Sequence, residues 1–178
     1  MLSPYVDGVK KELIIFSPYF VPGKPGTAFL VQLAQRGVRV RILIDHVTTK
    51  DTDYKFARMH HHPNIEIRIF NPWASKGAAR AFETVGKMKK LNHRMHNKSI
   101  TFDNTVSIVG GRNIASDYFG ASEHFNYYDF DVLAVGPVVD EVSTQFDTYW
   151  NSAQAYPATA FVQPDDSSES ARALADRF

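Results

Sequence analysis

The sequence predicts an α/β fold, an α-β-α sandwich around a central mixed, largely parallel sheet, and three observations carry that expectation. Glu12 to Phe16 is a short apolar run ended by Ser17-Pro18, too short for a helix, so it reads as a buried strand. In the stretch TAFLVQLAQR, Phe29, Leu30, Leu33 and Ala34 fall on one helical face, and Gly37 stands where a C-terminal cap belongs. Val38 to Ile44 is then a β-branched, apolar strand ending at Asp45. Residues 12–44 are thus a strand-helix-strand unit, the connection that parallel strands require.

The remaining elements follow in order. The loop SPYFVPGKPG holds three prolines that forbid a regular helix, so the first helix is expected to open at Gly26. No G-x-G-x-x-G separates the first strand from that helix, so a dinucleotide fold of the Rossmann type is not supported. Tyr54 to His60 reads as a helix. Ile65 to Phe70 alternates Ile65, Ile67 and Ile69 with Glu66 and Arg68, the pattern of a half-buried strand. His60-His61-His62 reads as a solvated helix end before Pro63, because consecutive side chains diverge and metal ligands must converge. His96 to Asn113 reads as two strands joined by a tight turn at Asp103-Asn104, with Thr105 to Val109 as the second strand. Val132 to Val135 forms another strand, opened by Asp131. Val138 to Asn151 is an amphipathic helix with Val138, Val142, Phe146 and Tyr149 inward. Residues 1–152 make one domain on this reading, and 153–178, rich in Pro, Ser, Asp and Ala, a linker or flexible tail.

Composition narrows the functional classes. With 178 residues, 44% hydrophobic content and thirteen Phe, the chain can build a real core. A net charge of +1 is too balanced for nucleic-acid binding by bulk charge, so a basic patch must be local. Lys87 to Arg94, KMKKLNHR, is such a patch, and it runs directly into His96. Cysteine is absent, which removes disulfides, thiolate catalysis and Cys-based zinc sites. No apolar run approaches the roughly 18 residues that span a bilayer. The opening MLSPYVDGVKKE has neither the charge pattern of a signal peptide nor that of an anchor.

Chemistry concentrates in His96 to Asn113, HNKSITFDNTVSIVGGRN. Alternate side chains of an extended chain share a face, so His96 and Lys98 project together, a nucleophile and a cation meeting one anion. Gly110-Gly111 has no Cβ and lets the backbone come close to a bound group. The spacing H-x-K-x4-D-x6-G-G-x-N resembles the HKD signature of the phospholipase D superfamily. GGRN, continuing as IASDYFG, looks most like the first motif of a cardiolipin synthase branch. SPYFVPG, RGVRVRILID and HPNIEIRIFNP resemble segments of the same enzymes. Every other His lacks a Lys two residues on, so one motif is present where those enzymes carry two.

The resemblance implies a two-step displacement at phosphorus without metal or cofactor. His96 would attack, Lys98, Gly111 and Asn113 would hold the phosphate oxygens, and Asp103 would complete the catalytic motif. Asp131, with Asp129 as the alternative, would stand behind the His96 ring and fix its tautomer. The implied substrate is a phosphatidylglycerol-like phospholipid, handled at the cytoplasmic face of the membrane by a peripheral domain; nucleic acid is the alternative phosphodiester. The second histidine would come from another HKD half in the same protein, or from a homodimer partner across a two-fold axis.

Overall fold

The computed structural model describes residues 8–45, 59, 62–72, 94–115 and 129–161 of the chain. Their strands form one seven-stranded sheet in the order β6-β5-β4-β1-β2-β3-β7. In chain order these are β1 (Glu12–Phe16), β2 (Arg39–Asp45), β3 (Ile65–Phe70), β4 (Ser99–Phe102), β5 (Val106–Gly110), β6 (Asp131–Val135) and β7 (Ala155–Pro157). Helix α1 (Gly23–Gln35) covers one face and α2 (Val138–Trp150) the other, which is the expected α-β-α sandwich.

The strand-helix-strand unit behaves as its sequence dictates. β1 pairs parallel with β2, Glu12 facing Arg39 and Phe16 facing Leu43, and β2 pairs parallel with β3. The sheet is mixed, but parallel pairing is confined to these central strands. β4, β5, β6 and β7 all join antiparallel. For β4 and β5 the cause is the turn: Asp103 and Asn104 take φ of 50° and 51°, and Thr105 N–H donates to Phe102 O. Two left-handed central residues make the hairpin turn whose twist matches antiparallel strands.

Packing follows the period of two along each strand. Leu13, Ile15, Val40, Ile42 and Ile67 point to the α1 face and meet Leu30, Leu33 and Ala34. Ile14, Phe16, Leu43 and Phe70 point to the α2 face and meet Phe146 and Trp150. Phe16 stands edge-on to Phe146 at 5.4 Å between centroids. α2 is also pinned by charge. Arg41 donates to Glu12 at 2.7 Å and to Asp147 at 2.5 Å, and its guanidinium lies 5.1 Å from the centre of the Phe146 ring. Burial alone would lower the Arg41 pKa, but the two carboxylates more than offset it and raise it.

Four expectations are corrected. α1 opens at Gly23 rather than Gly26, because Pro25 falls in the first turn, where a missing N–H costs nothing. α2 turns Val139, Phe146 and Trp150 inward and leaves Val138 44% exposed, so the phase of its first turn is one residue later than predicted. The residues after 152 are not all tail: β7 pairs with β3, Phe70 facing Ala155, and Ala158 is buried in the core. β2 occupies Arg39–Asp45, so it starts one residue later than Val38, though it ends at Asp45 as expected. The helix expected at Tyr54 to His60 and the basic run before Arg94 lie outside the described residues, apart from Met59.

Candidate functional site

One edge of the sheet gathers the chemistry. β1, β2 and β3 end there in Phe16, Asp45 and Phe70; β4 and β6 begin there with Ser99 and Asp131, and β5 ends there at Gly110. In open α/β sheets this C-terminal edge of the parallel strands is where ligands bind. A cleft of about 40 Å³ opens at the edge, lined by Phe16, Ser17, Lys98, Gly110, Arg112 and Asp131 among others. Its volume holds a water or two, so a phosphodiester must sit over it rather than inside it.

His96 and Lys98 come together, but ahead of β4 rather than on the strand that their spacing predicts. Lys98 Nζ donates to His96 O at 2.9 Å and lies 3.3 Å from both His96 Nδ1 and Nε2. His96 is exposed, whereas Lys98 is buried. Burial lowers the Lys98 pKa, and the field of Asp129 opposes that shift without cancelling it. The two residues precede β4 in an irregular stretch, held to β5 by Gly110 N–H donating to Lys98 O at 3.2 Å.

Asp103, expected among the catalytic groups, stands at the opposite end of β4. Its carboxylate accepts from the backbone N–H groups of Lys10 at 2.9 Å and of Lys11 and Glu12 at 2.8 Å. Burial pushes its pKa up, but the three amides of Glu12, Lys10 and Lys11, with the Lys11 charge, outweigh that and hold the carboxyl below its ordinary value. Asp103 therefore anchors the entry of β1 and touches none of the other site residues.

Gly110 and Gly111 permit a close approach, though to side chains of this chain. A Cβ on Gly111 would overlap the Asp129 carboxylate, and one on Gly110 would overlap the Asp131 carboxylate and the backbone at Phe130 and Asp131. Asp131 lies at the head of β6 with its carboxylate 3.3 Å from Arg112 Nε rather than on the His96 ring. Asp129 is the acid whose field reaches Lys98, and its carbonyl accepts from Arg112 at 3.0 Å. Asn113 is buried, and its Oδ1 has no hydrogen-bond partner among the described residues. The SPYF loop walls this side: Val21 N–H donates to Ile114 O at 2.6 Å and Ile114 N–H to Tyr19 O at 3.2 Å.

One acid of this edge went unread in the sequence as a site residue. Asp45 accepts from Arg94 Nη1 and from Met95 N–H, both at 3.1 Å, so a buried ion pair sits directly behind the residues that lead into His96. The available signal was a charged residue ending an apolar strand at the ligand-binding edge of a parallel sheet. His62, of the triple-His run, accepts from Asn64 N–H at 3.3 Å, a local turn contact. Among the described residues no group of three or more His, Asp or Glu side chains converges as a metal site would require.

Comparison with known proteins adds the family. Residues 5–150 match the family described as cardiolipin synthase, PLD-like domain. Cardiolipin synthase C of Escherichia coli K12 is 44% identical over 128 residues, 72% of this chain and 27% of that protein. The major cardiolipin synthase ClsA of Bacillus subtilis is 27% identical over 141 residues, 79% of this chain and 27% of that one. The chain thus spans about a quarter of the length of these relatives. In structure it resembles Nuc, a phospholipase D family member from Salmonella typhimurium, with a TM-score of 0.60, 19% identity and 86% of each chain covered. Phosphatidylserine synthase of Haemophilus influenzae gives 0.57 at 12% identity, covering 98% of this chain and 40% of that one. With the HKD spacing, the sandwich and these matches in agreement, the chain belongs to the cardiolipin synthase, phospholipase D-like domain family.

Proposed function

We propose that this chain is one half of a phosphatidyltransferase of the cardiolipin synthase kind, working through a phosphohistidine. The observation that carries the reading is Lys98 Nζ lying 3.3 Å from both ring nitrogens of an exposed His96. In the first step a His96 ring nitrogen bonds to phosphorus and the bond to the leaving alcohol breaks, the alcohol taking its proton from a second histidine. In the return step that histidine takes a proton from the acceptor alcohol, whose oxygen displaces His96. Lys98 and Asn113 stabilise the non-bridging oxygens. Asp129, whose field reaches Lys98, is the better placed of the two acids to balance charge at the His96-Lys98 pair, and Asp131 holds Arg112.

The second histidine comes from another HKD half. One surface suits that partner: beside the site, Phe130, just before the edge strand β6, is 80% exposed and Val132 on that strand 54%, apolar surface of the kind that interfaces cover. The substrate is a phosphatidylglycerol-like lipid, and the domain works peripherally at the cytoplasmic face of the membrane. No helix among the described residues is long and apolar enough to cross one. A second reading, a homodimeric nuclease, is favoured by one observation: the likeness to Nuc covers 86% of both chains.

Sedimentation of the chain, with assays on phosphatidylglycerol and on single-stranded DNA, separates the two. The expected result is a chain inactive on both substrates that gains lipid activity when the second HKD half is supplied. A stable dimer that cleaves DNA would refute the synthase-half reading.

A further inference from the structure

We infer that Asp45 is a positioning residue for His96, acting through a buried latch on the two residues that precede the nucleophile. The inference rests on the reading of His96 as the nucleophile. Asp45 ends β2 only 3% exposed, and a carboxylate so deeply buried is costly unless paired and hydrogen-bonded. Its two oxygens go to different kinds of partner. Oδ1 accepts from Arg94 Nη1 and Oδ2 from the backbone N–H of Met95, each at 3.1 Å. The same Arg94 nitrogen donates at 3.1 Å to the carbonyl of Asn71, just past the end of β3. Met95 is itself 1% exposed and packed beside Phe16 and Phe70. Arg94 and Met95 are therefore tied to the ends of two central strands, one peptide bond before His96.

The location explains why a buried charge is placed there. Residues 94–98 belong to no strand, so no sheet ladder fixes their backbone dihedrals on the approach to the site. The latch supplies that constraint, and it reaches the chemistry directly, because the His96 carbonyl it helps place is the acceptor of Lys98 Nζ at 2.9 Å. A pair serving stability alone has no need of the second bond. Buried ion pairs can often be exchanged for apolar residues without loss of stability, whereas an acceptor for the Met95 N–H cannot be supplied by a hydrocarbon.

That asymmetry provides the test, made on this chain with orthovanadate as the probe anion. The double variant Asp45→Leu/Arg94→Met removes the latch, keeps the net charge and replaces the pair with apolar side chains. Asp45→Asn removes the charge but keeps an oxygen for Met95 N–H. Affinity is read by calorimetry, His96 ring resonances by NMR, and folding by thermal melting. The expected result is a folded double variant whose vanadate affinity falls about tenfold or more and whose His96 resonances shift. Asp45→Asn should stay within about threefold of the parent, a rescue that follows the hydrogen-bond acceptor rather than the ion pair. A folded double variant with parental affinity and parental His96 resonances overturns the inference. So does an Asp45→Asn protein, folded, that loses affinity by tenfold. Should the double variant not fold, Asp45→Asn decides by the same criterion. If the parent chain binds no vanadate, the nucleophile reading fails on its own, and the His96 resonances of the variants still decide whether Asp45 positions that ring.

Discussion

The two ends of the HKD segment in and around β4 do opposite work. At one end Asp103 is satisfied, its carboxylate receiving three backbone N–H groups from Lys10, Lys11 and Glu12. At the other, His96 is exposed, Lys98 is buried with its pKa lowered by that burial, and the buried oxygen of Asn113, beyond β5, has no hydrogen-bond partner among the described residues. Stability is concentrated where polar groups are paired, and reactivity where pairing is left incomplete until a ligand supplies it. A single eight-residue motif thus contains an anchor and the proposed reactive group, and substitutions at its two ends should separate the two properties.

The largest effect is expected at Lys98. Lys98→Met keeps chain length and removes the charge proposed to stabilise the phosphate oxygens, so turnover in the complemented enzyme should drop by about 10²–10³-fold. The fold should survive, and stability at neutral pH should be unchanged or higher. The sign follows from linkage: in the window between the lowered folded pKa and the ordinary value of about 10.4, the unfolded chain holds the proton that the native chain has lost. Stability of the parent therefore rises with pH through that window, and chemical denaturation should show the rise missing in Lys98→Met. A Lys98→Met protein that turns over normally would remove the cation from the chemistry.

Asp103 gives the converse. Asp103→Ala deprives three amides of their acceptor and should cost about 2–3 kcal/mol, discounted for partial exposure, while leaving anion affinity at the site within about twofold. Because the folded pKa is depressed, the carboxylate's contribution is present above the ordinary value near 4 and is lost as pH falls through the lower folded value. The gap in denaturation midpoint between parent and Asp103→Asn should accordingly close in acid. A gap that is constant with pH would mean that the charge is not what the amides recognise.

The adjacent glycines sharpen the comparison at smaller amplitude. A side chain at Gly110 meets the backbone of Phe130 and Asp131, so Gly110→Ala should part β5 from β6 and cost about 1–3 kcal/mol. At Gly111 the obstacle is the mobile end of the Asp129 side chain, so Gly111→Ser should cost under about 1 kcal/mol. Serine is also the residue that the superfamily commonly carries there. Thermal melting of the two variants checks the order, and equal losses would contradict the placement of Asp129.

Much of this was legible in the sequence because it is local. The strand-helix-strand unit, the turn at Asp103-Asn104 and the meeting of His96 with Lys98 all follow from spacing within a few residues. What escaped depends on partners brought together by topology. Asp103 finds its amides more than 90 residues earlier in the chain, and Asp45 meets Arg94 across 49 positions. β7 is three residues long and gains its place only by pairing with β3, so its sequence carries no signal stronger than that of a tail. The choice between Asp131 and Asp129 stays open in the sequence for a related reason: both precede or open an apolar strand, and only the glycines across from them show which carboxylate lies over which.

The most direct test of His96 as the nucleophile is to look for the covalent intermediate. The chain, combined with the second HKD half and phosphatidylglycerol, is quenched in denaturing base, which preserves phosphoramidates, and its peptides are read by mass spectrometry. The expected result is a phosphatidyl adduct on His96, absent from the folded His96→Ala protein, whose turnover should be lower by about 10³-fold or more. Turnover by folded His96→Ala at the parental rate, or an adduct carried by a different residue of this chain, would contradict it.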